Sequence, residues 1–282
     1  MLEEFPFLNE WIDITLKEDL GDGDHSSLAC IPKDAIGKVK CLYKEDGIVA
    51  GIALAKIIFA KVDPSISLDI IHNDGDYVKT GTVVFHASGP KISLLSAERL
   101  VLNCMQRLSA VATVTDIYAK TIAHTSTKVL DTRKTTPGLR HLEKWAVTLG
   151  GGMNHRVGLY DMIMLKDNHI DFAGGIKKAI TKTKNYLKET GRDLKIEVET
   201  RSMVEVHEVL SVGGIDRIML DNFTPAETIE AVKTIAGLYE IESSGGITLE
   251  TLKDYAECGV DFISVGALTH SAGSLDISLK AV

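Results

Sequence analysis

The chain has 282 residues, 45% of them hydrophobic and 25% charged, with a formal net charge of -8. That is enough for one large domain with a smaller companion. The acid excess argues against nucleic acid as the main partner, because gripping a phosphate backbone needs a broad basic surface. No apolar run approaches the length of a membrane span, and the opening MLEEFPFLNE lacks the basic and apolar stretches of an export signal. Cys30, Cys41, Cys104 and Cys258 form no CxxC pair and show no ligand spacing, so a reducing cytoplasm is the expected compartment.

In chain order, residues 6–20 predict a helix ending near Gly21, and GDGDHSS a loop. That loop lacks the acidic spacing of a calcium site. Strand-like runs follow at Lys38–Tyr43, Gly47–Ala50, Ile66–Ile71 and Tyr77–His86, with a helix at Ala53–Val62 and a turn cluster at Asn73–Asp76. A helical pattern free of Gly and Pro then runs from Ser93 to about His124. It carries Arg99 on the same helical face as Leu95 and Leu102, which predicts an arginine at the edge of a buried face.

From Lys128 the pattern changes. Six apolar runs end in polar residues: Val129–Leu130, Met162–Leu165, Ile196–Val198, Ile218–Leu220, Tyr239–Ile241 and Phe262–Val265. Glu199, Asp221, Ser243 and Val265 stand at intervals of 22 residues, the length of one strand and one helix. Ser202 with Glu205, and Thr224–Pro225 with Glu227, mark helix starts; Gly213, Gly237 and Gly259 mark stops. Serial βα units close most economically as a parallel barrel, although an open doubly wound sheet satisfies the same pattern.

A barrel places its chemistry at the carboxyl ends of its strands. Arg133 and Lys134, Lys166 and Asp167, Glu199, Asp221, Ser244–Gly245–Gly246 and Gly266 would then ring one mouth. Residues 132–169 hold six Lys/Arg (Arg133, Lys134, Arg140, Lys144, Arg156, Lys166) and three His (His141, His155, His169) against three Asp/Glu. Such a cluster in an acidic chain predicts an anion pocket, since arginine grips carboxylate or phosphate through two parallel bonds. Glu199 and Asp221 suit a hard divalent ion such as Mg2+, and the glycine turns suit a phosphate. Each feature also has a plainer reading: Asp-Asn as a cap, Ser-Gly-Gly as a tight turn, Gly150–Gly152 as a flexible turn, His141 and His169 as ordinary histidines. Agreement among six strand ends favours the functional one.

TRKTTPGLR, EKWAV, GGGMNHRVGLYDMIMLKDNH, LDNF, SGGI and the early EDLGDGD resemble the quinolinate phosphoribosyltransferase family from about residue 8 to the C-terminus. The resemblance implies an N-terminal α/β sandwich domain (1–110, with a linking helix at about 93–124), a C-terminal incomplete TIM-like α/β barrel (111–269) and a segment 270–282 returning to the first domain. It implies transfer of phosphoribosyl from phosphoribosyl pyrophosphate to quinolinate with decarboxylation, in NAD biosynthesis. It further implies Mg2+ at Glu199 and Asp221, and a homodimer, or trimer of dimers, in which Arg99 reaches the partner's site. Arg133, His155 and Arg156 would grip the quinolinate carboxylates. Lys134 and Lys166 would line the reaction centre, with Glu199 and Asp221 near the ribose. Ser244, Gly245, Gly246 and Gly266 would receive the 5-phosphate.

Overall fold

The computed structural model describes Leu2 and Phe5–Val282. The stretch read for an export signal therefore lies partly outside the described residues, at Met1, Glu3 and Glu4. The chain divides into two compact units, one of residues 1–116, 135–151 and 268–282, the other of 117–134 and 152–267.

In the first unit α1 (Leu8–Leu20) stops at Gly21, in the left-handed region at φ 54. The GDGDHSS segment is not wholly a loop. Asp24 accepts the Ser27 amide at 3.1 Å and starts α2 (His25–Cys30), because a side-chain acceptor satisfies a donor that the first helical turn leaves open. β1 (Ile36–Tyr43), β2 (Gly47–Ile48), α3 (Ile52–Val62) and β3 (Ser67–Ile70) follow in the expected order. The expected strand Tyr77–His86 is two strands, β4 (Tyr77–Val78) and β5 (Val83–Pro90). Gly81 turns the chain between them at φ 88, and Asp46 takes the Thr80 amide at 2.8 Å. α4 (Lys91–Thr121) and α5 (Arg140–Leu149) come next, with β6 (Lys128–Leu130) of the second unit between them in sequence.

The remaining elements alternate: β7 (Ile163–Leu165), α6 (Asp167–Ala173), α7 (Ile176–Thr190), β8 (Ile196–Thr200), α8 (Met203–Val212), β9 (Arg217–Asp221), α9 (Pro225–Ile235), β10 (Glu240–Ser244), α10 (Leu252–Ala256), β11 (Phe262–Ser264), α11 (Ala267–His270) and β12 (Ile277–Ala281). The expected caps are present. Thr224 and Glu227 satisfy each other's amides at the start of α9. Ser202 caps α8, but Glu205 turns back to the Arg201 amide at 2.7 Å instead of closing the box.

The first unit is built on an antiparallel sheet of order β12-β1-β5-β3. Phe59 of α3 meets Phe85 of β5 edge to face, 6.2 Å between ring centres. Ser109 of α4 bonds the Tyr43 hydroxyl at 2.8 Å and accepts the Ala50 amide at 3.1 Å. Residues 135–151 cluster with this unit. Arg107 of α4 holds the buried Glu143 of α5 at 2.7 and 3.0 Å, and also takes the Thr269 and Ala272 carbonyls. Gly150 is a tight approach and not a flexible turn: a Cβ there would overlap the Ala112 carbonyl oxygen. Arg99 is exposed, and Leu95, which shares its side of α4, is 41% exposed. Leu102, on the same side, is buried, so Arg99 stands at the edge of a buried face, as its spacing predicts.

The second unit holds six parallel strands in the order β6-β11-β10-β9-β8-β7. Strands follow one another in sequence and the first lies beside the last, which is the cyclic order of a barrel and lacks the reversal of a doubly wound sheet. The ring stays open, since β6 and β7 do not pair. Met153 forms a single bridge to Leu130 beside β6. This is an incomplete TIM-like barrel.

Alternation along these strands divides their side chains. Val198, Ile218, Leu220, Ile241 and Ile263 are buried on one face. On the other, the register pairs Glu197 with Arg217, Glu199 with Met219, and Asp221 with Ser244. The apolar core thus lies between strands and helices, and the barrel interior is charged.

Burial pushes the thiols of Cys41 and Cys104 up to about 12 and also raises that of Cys258, while Cys30 is exposed. A thiol reacts as its thiolate. With a disulfide reagent at pH 8 the native protein should show one fast thiol, and all four only in denaturant; two or more fast thiols would contradict this packing.

Candidate active site

Lys166 closes β7 and precedes α6, where its amide donates to His169 Nδ1 at 3.1 Å. His169 is therefore a helix cap that fixes the Lys166 backbone. From there the Lys166 ammonium reaches Glu199 Oε2 at 2.9 Å, and the Asp167 amide lies 3.4 Å from Oε1 of the same carboxylate. Glu199 is 7% exposed. Asp221, one strand further on, has its pKa raised by burial and then by the Glu199 charge, with Lys166 opposing. Sequence reasoning placed these three groups at one mouth, and the structure brings them within electrostatic reach.

The next strand end is shaped by backbone strain. Asn222 is left-handed at φ 59 without being glycine, a conformation that asparagine tolerates better than most residues. Its amide donates to the Ser244 carbonyl at 2.9 Å and its side-chain amide to Asp221 at 2.7 Å. Gly245 follows at φ 99, and a Cβ on it would strike the Asn222 side chain and amide nitrogen. Gly246 is exposed and Gly266 precedes α11. The glycine turn thus lies against the Asp221–Asn222 strand end.

The cationic group is split. Arg133 and Lys134 are exposed after β6, and the Lys134 amide donates to Thr132 Oγ1 at 2.9 Å. Arg156 is 9% exposed, and its Nη1 donates to the Met162 carbonyl at 3.1 Å. Its pKa is lowered by burial first and by Arg133 second, so two arginines share a region that an anion would relieve. Arg156 and His155 line a cavity of about 360 Å3 with Asp161, Lys195 and Arg217. Lys195 and Arg217 stand at the amino ends of β8 and β9, so this pair reaches deeper than a ring at the carboxyl mouth would require. Arg140 donates to Thr135 Oγ1 and His141 stacks on the ring of Phe5. Lys144 is buried.

His155 faces inward. Its Nε2 lies 3.0 Å from Glu197 Oε2 and 3.3 Å from Glu242 Oε2. Arg217 joins them, donating to Glu242 at 2.9 Å and to Glu240 at 3.0 Å, and its guanidinium sits 4.1 Å from the Phe262 ring centre. Burial disfavours the charged imidazole, but the two carboxylates outweigh it and carry the pKa up to about 9. Glu197 is raised by burial and by Glu242, whereas His155 and Arg217 overcome burial to lower Glu242. The cluster attracts a proton.

Sequence reading missed Glu197, Arg217 and Glu242. The signal was present: Glu197 stands two residues before Glu199 and Glu242 two before Ser244, the spacing of one strand face. Donor atoms of His155, Glu197 and Glu242 also lie within 4.8 Å of one another, close enough for a metal. The Glu199–Asp221 pair offers two oxygen donors of excess negative charge, which suits a Mg2+ that keeps most of its ligands as water and substrate oxygens.

The profile described as quinolinate phosphoribosyl transferase, C-terminal domain, matches residues 111–280, and that of the N-terminal domain matches 24–109. The chain belongs to the quinolinate phosphoribosyltransferase family. Quinolinate phosphoribosyltransferase [decarboxylating] 1b of Nicotiana tabacum is 49% identical over 95% of this chain and 81% of its own length. The probable nicotinate-nucleotide pyrophosphorylase [carboxylating] of Bacillus subtilis is 42% identical over 93% of this chain and 89% of its own length. The crystal structure of NadC from Streptococcus pyogenes superposes with a TM-score of 0.92 at 38% identity, covering 98% of this chain and 97% of that one.

A Gly245→Ala change in this quinolinate phosphoribosyltransferase family member forces a side chain into a left-handed position against Asn222. The expected outcome is a loss of stability of about 1–3 kcal/mol, with loss of activity, measured by denaturant unfolding beside turnover. Wild-type behaviour in both would refute the strained turn.

Proposed function

We propose that this protein transfers phosphoribosyl from phosphoribosyl pyrophosphate to quinolinate, with decarboxylation, giving nicotinate mononucleotide, pyrophosphate and CO2 in NAD biosynthesis. The observation that carries the reading is the pairing of two cationic residues, Arg133 and Arg156, the first close enough to lower the pKa of the second, in the same unit as the Lys166–Glu199–Asp221 cluster. A dianionic pyridine needs the first and a phosphorylated ribose the second.

In this reading Arg133 and Arg156 grip the two carboxylates and fix the ring, which one lysine could not orient. Lys134 and Lys166 line the centre where the substrates meet. Glu199 and Asp221 hold the ribose and would bind Mg2+, which when present neutralises charge on the diphosphate. As the pyrophosphate leaves, an oxocarbenium-like centre forms on the ribose, and the pyridine nitrogen attacks it. Glu199 and Asp221 stabilise the developing positive charge and Lys166 the departing anion. The alkylated nitrogen is cationic, so the 2-carboxylate leaves as CO2 and the electron pair stays on the ring carbon until a proton arrives. The Ser244–Gly246 turn and Gly266 receive the 5-phosphate.

A homodimer with Arg99 reaching the partner's site is supported by the exposure of Arg99 on α4. A reducing cytoplasm is supported by four unpaired cysteines, and no helix among the described residues is long and apolar enough to cross a membrane. The names of the tobacco and Arabidopsis relatives include mitochondrial and chloroplastic forms.

Purified protein with Mg2+, phosphoribosyl pyrophosphate and carboxyl-labelled quinolinate should release nicotinate mononucleotide and CO2 in equal amounts, with nicotinate inert as control. No product from folded protein, or turnover of nicotinate instead, would overturn the reading. Arg156→Ala should cost about 2–4 kcal/mol in kcat/KM for quinolinate, and an unchanged value would remove Arg156 from the carboxylate grip.

A further inference from the structure

We propose that Glu197 and Glu242 are positioning residues for the dicarboxylate: they lock the imidazole of His155, and His155 in turn locks Arg156. The inference rests on the quinolinate reading above and goes beyond it in giving the barrel interior a role in recognition.

The His155–Arg156 dipeptide is pinned at every handle. The His155 amide donates to Asp131 Oδ1 at 2.8 Å, and Asp131 is fully buried at the end of β6. The Arg156 amide donates to His155 Nδ1 at 2.6 Å. The two carboxylates favour a protonated ring, but an Nδ1 that accepts this amide is bare, so once the ring is neutral the backbone selects the tautomer with its hydrogen on Nε2, directed at Glu197 and Glu242. Beyond Arg156, the Val157 and Gly158 amides both donate to Asp161, at 2.7 and 2.8 Å. The ring thus acts as a spacer between two buried carboxylates and the backbone that presents the arginine. With Nδ1 on the Arg156 amide and Nε2 facing the two carboxylates, the ring is turned inward, which departs from the gripping role the resemblance implies for it.

Arrangement and exposure exclude a surface ion pair. Glu197 and Glu242 have no exposed area, and their Oε2 atoms face His155 Nε2 at 3.0 and 3.3 Å. Buried ion clusters seldom outperform well-packed apolar residues in stability. The facing groups are Arg217 and Glu240, from β9 and β10, together with Ser264 of β11, which hydrogen-bonds Glu242. Arg217 braces Glu242, leaving Glu197 as the carboxylate nearest Nε2. Outer partners of this kind commonly change affinity by about 10–100-fold when removed.

The test combines calorimetric quinolinate binding, separate KM values for the two substrates, and 15N spectra of histidine-labelled protein with the His155 signal assigned by its loss in His155→Gln. Glu197→Ala should weaken quinolinate binding and raise its KM about 10–100-fold while the KM for phosphoribosyl pyrophosphate holds. Glu197→Gln, which keeps an oxygen in reach of Nε2, should recover most of the loss. Above the raised pKa of about 9, the His155 signal in wild-type protein should be that of a neutral ring protonated on Nε2. Unchanged quinolinate affinity in folded Glu197→Ala, equal rises in both KM values, or Gln no better than Ala would overturn the inference. So would stoichiometric zinc retained by wild type and lost from Glu197→Ala. Should Glu197→Ala fail to fold, the tautomer above the ring's pKa decides: a neutral ring protonated on Nδ1 and bare on Nε2 refutes the relay. Wild-type protein that binds no quinolinate refutes the functional reading, and the tautomer still judges the relay.

Discussion

The two-residue period of the β-strand is the constraint on which the second unit depends. Successive side chains point to opposite faces, so each parallel strand that buries aliphatic residues against helices must offer its alternate positions to the barrel interior. In β8, β9 and β10 those positions hold Glu197 and Glu199, Arg217 and Asp221, and Glu240 and Glu242. The helix-facing side supplies the hydrophobic stabilisation. The interior is thereby free to be charged, at the cost of desolvating groups that must then compensate one another.

Compensation follows depth. At the carboxyl ends Lys166 meets Glu199, with Asp221 in their field, close to solvent and to an arriving substrate. One layer deeper Arg217 spans Glu240 and Glu242 while His155 faces Glu197 and Glu242. The upper layer has an excess of negative charge that suits a cation and a ribose. The lower layer is nearly neutral once one proton is counted, so it can hold a rigid geometry without calling for a ligand. Rigid support below an exposed reactive layer is what preorganisation requires.

The first unit uses a different device. Its antiparallel sheet closes with the final strand β12 beside β1, so sequence-distant ends meet. The buried Glu143 is held by Arg107, which also gathers the Thr269 and Ala272 carbonyls. One guanidinium thus joins α4, α5 and the approach to β12, because its planar array of donors can serve several acceptors at once.

Much of this was legible in the sequence, and the physical reason is locality. Helix starts at Ser202 and Thr224, stops near Gly213 and Gly259, and the 22-residue spacing of strand ends are written in neighbouring residues, and so the polar residues following each strand could be named. Asp24 as a cap and Gly81 as a break were equally local but were masked by a loop-like or strand-like composition. What only the tertiary structure decided depends on which strand lies beside which: the cyclic order that makes a barrel, the exposure of Arg99 in its unit, the tight approach at Gly150, and the turning of His155 toward Glu197 and Glu242. Residues 155, 197 and 242 meet only because β8 and β10 flank β9 in one curved sheet. No pattern within a single strand encodes that neighbour relation, whereas the alternation that aims each side chain inward was in the sequence from the start.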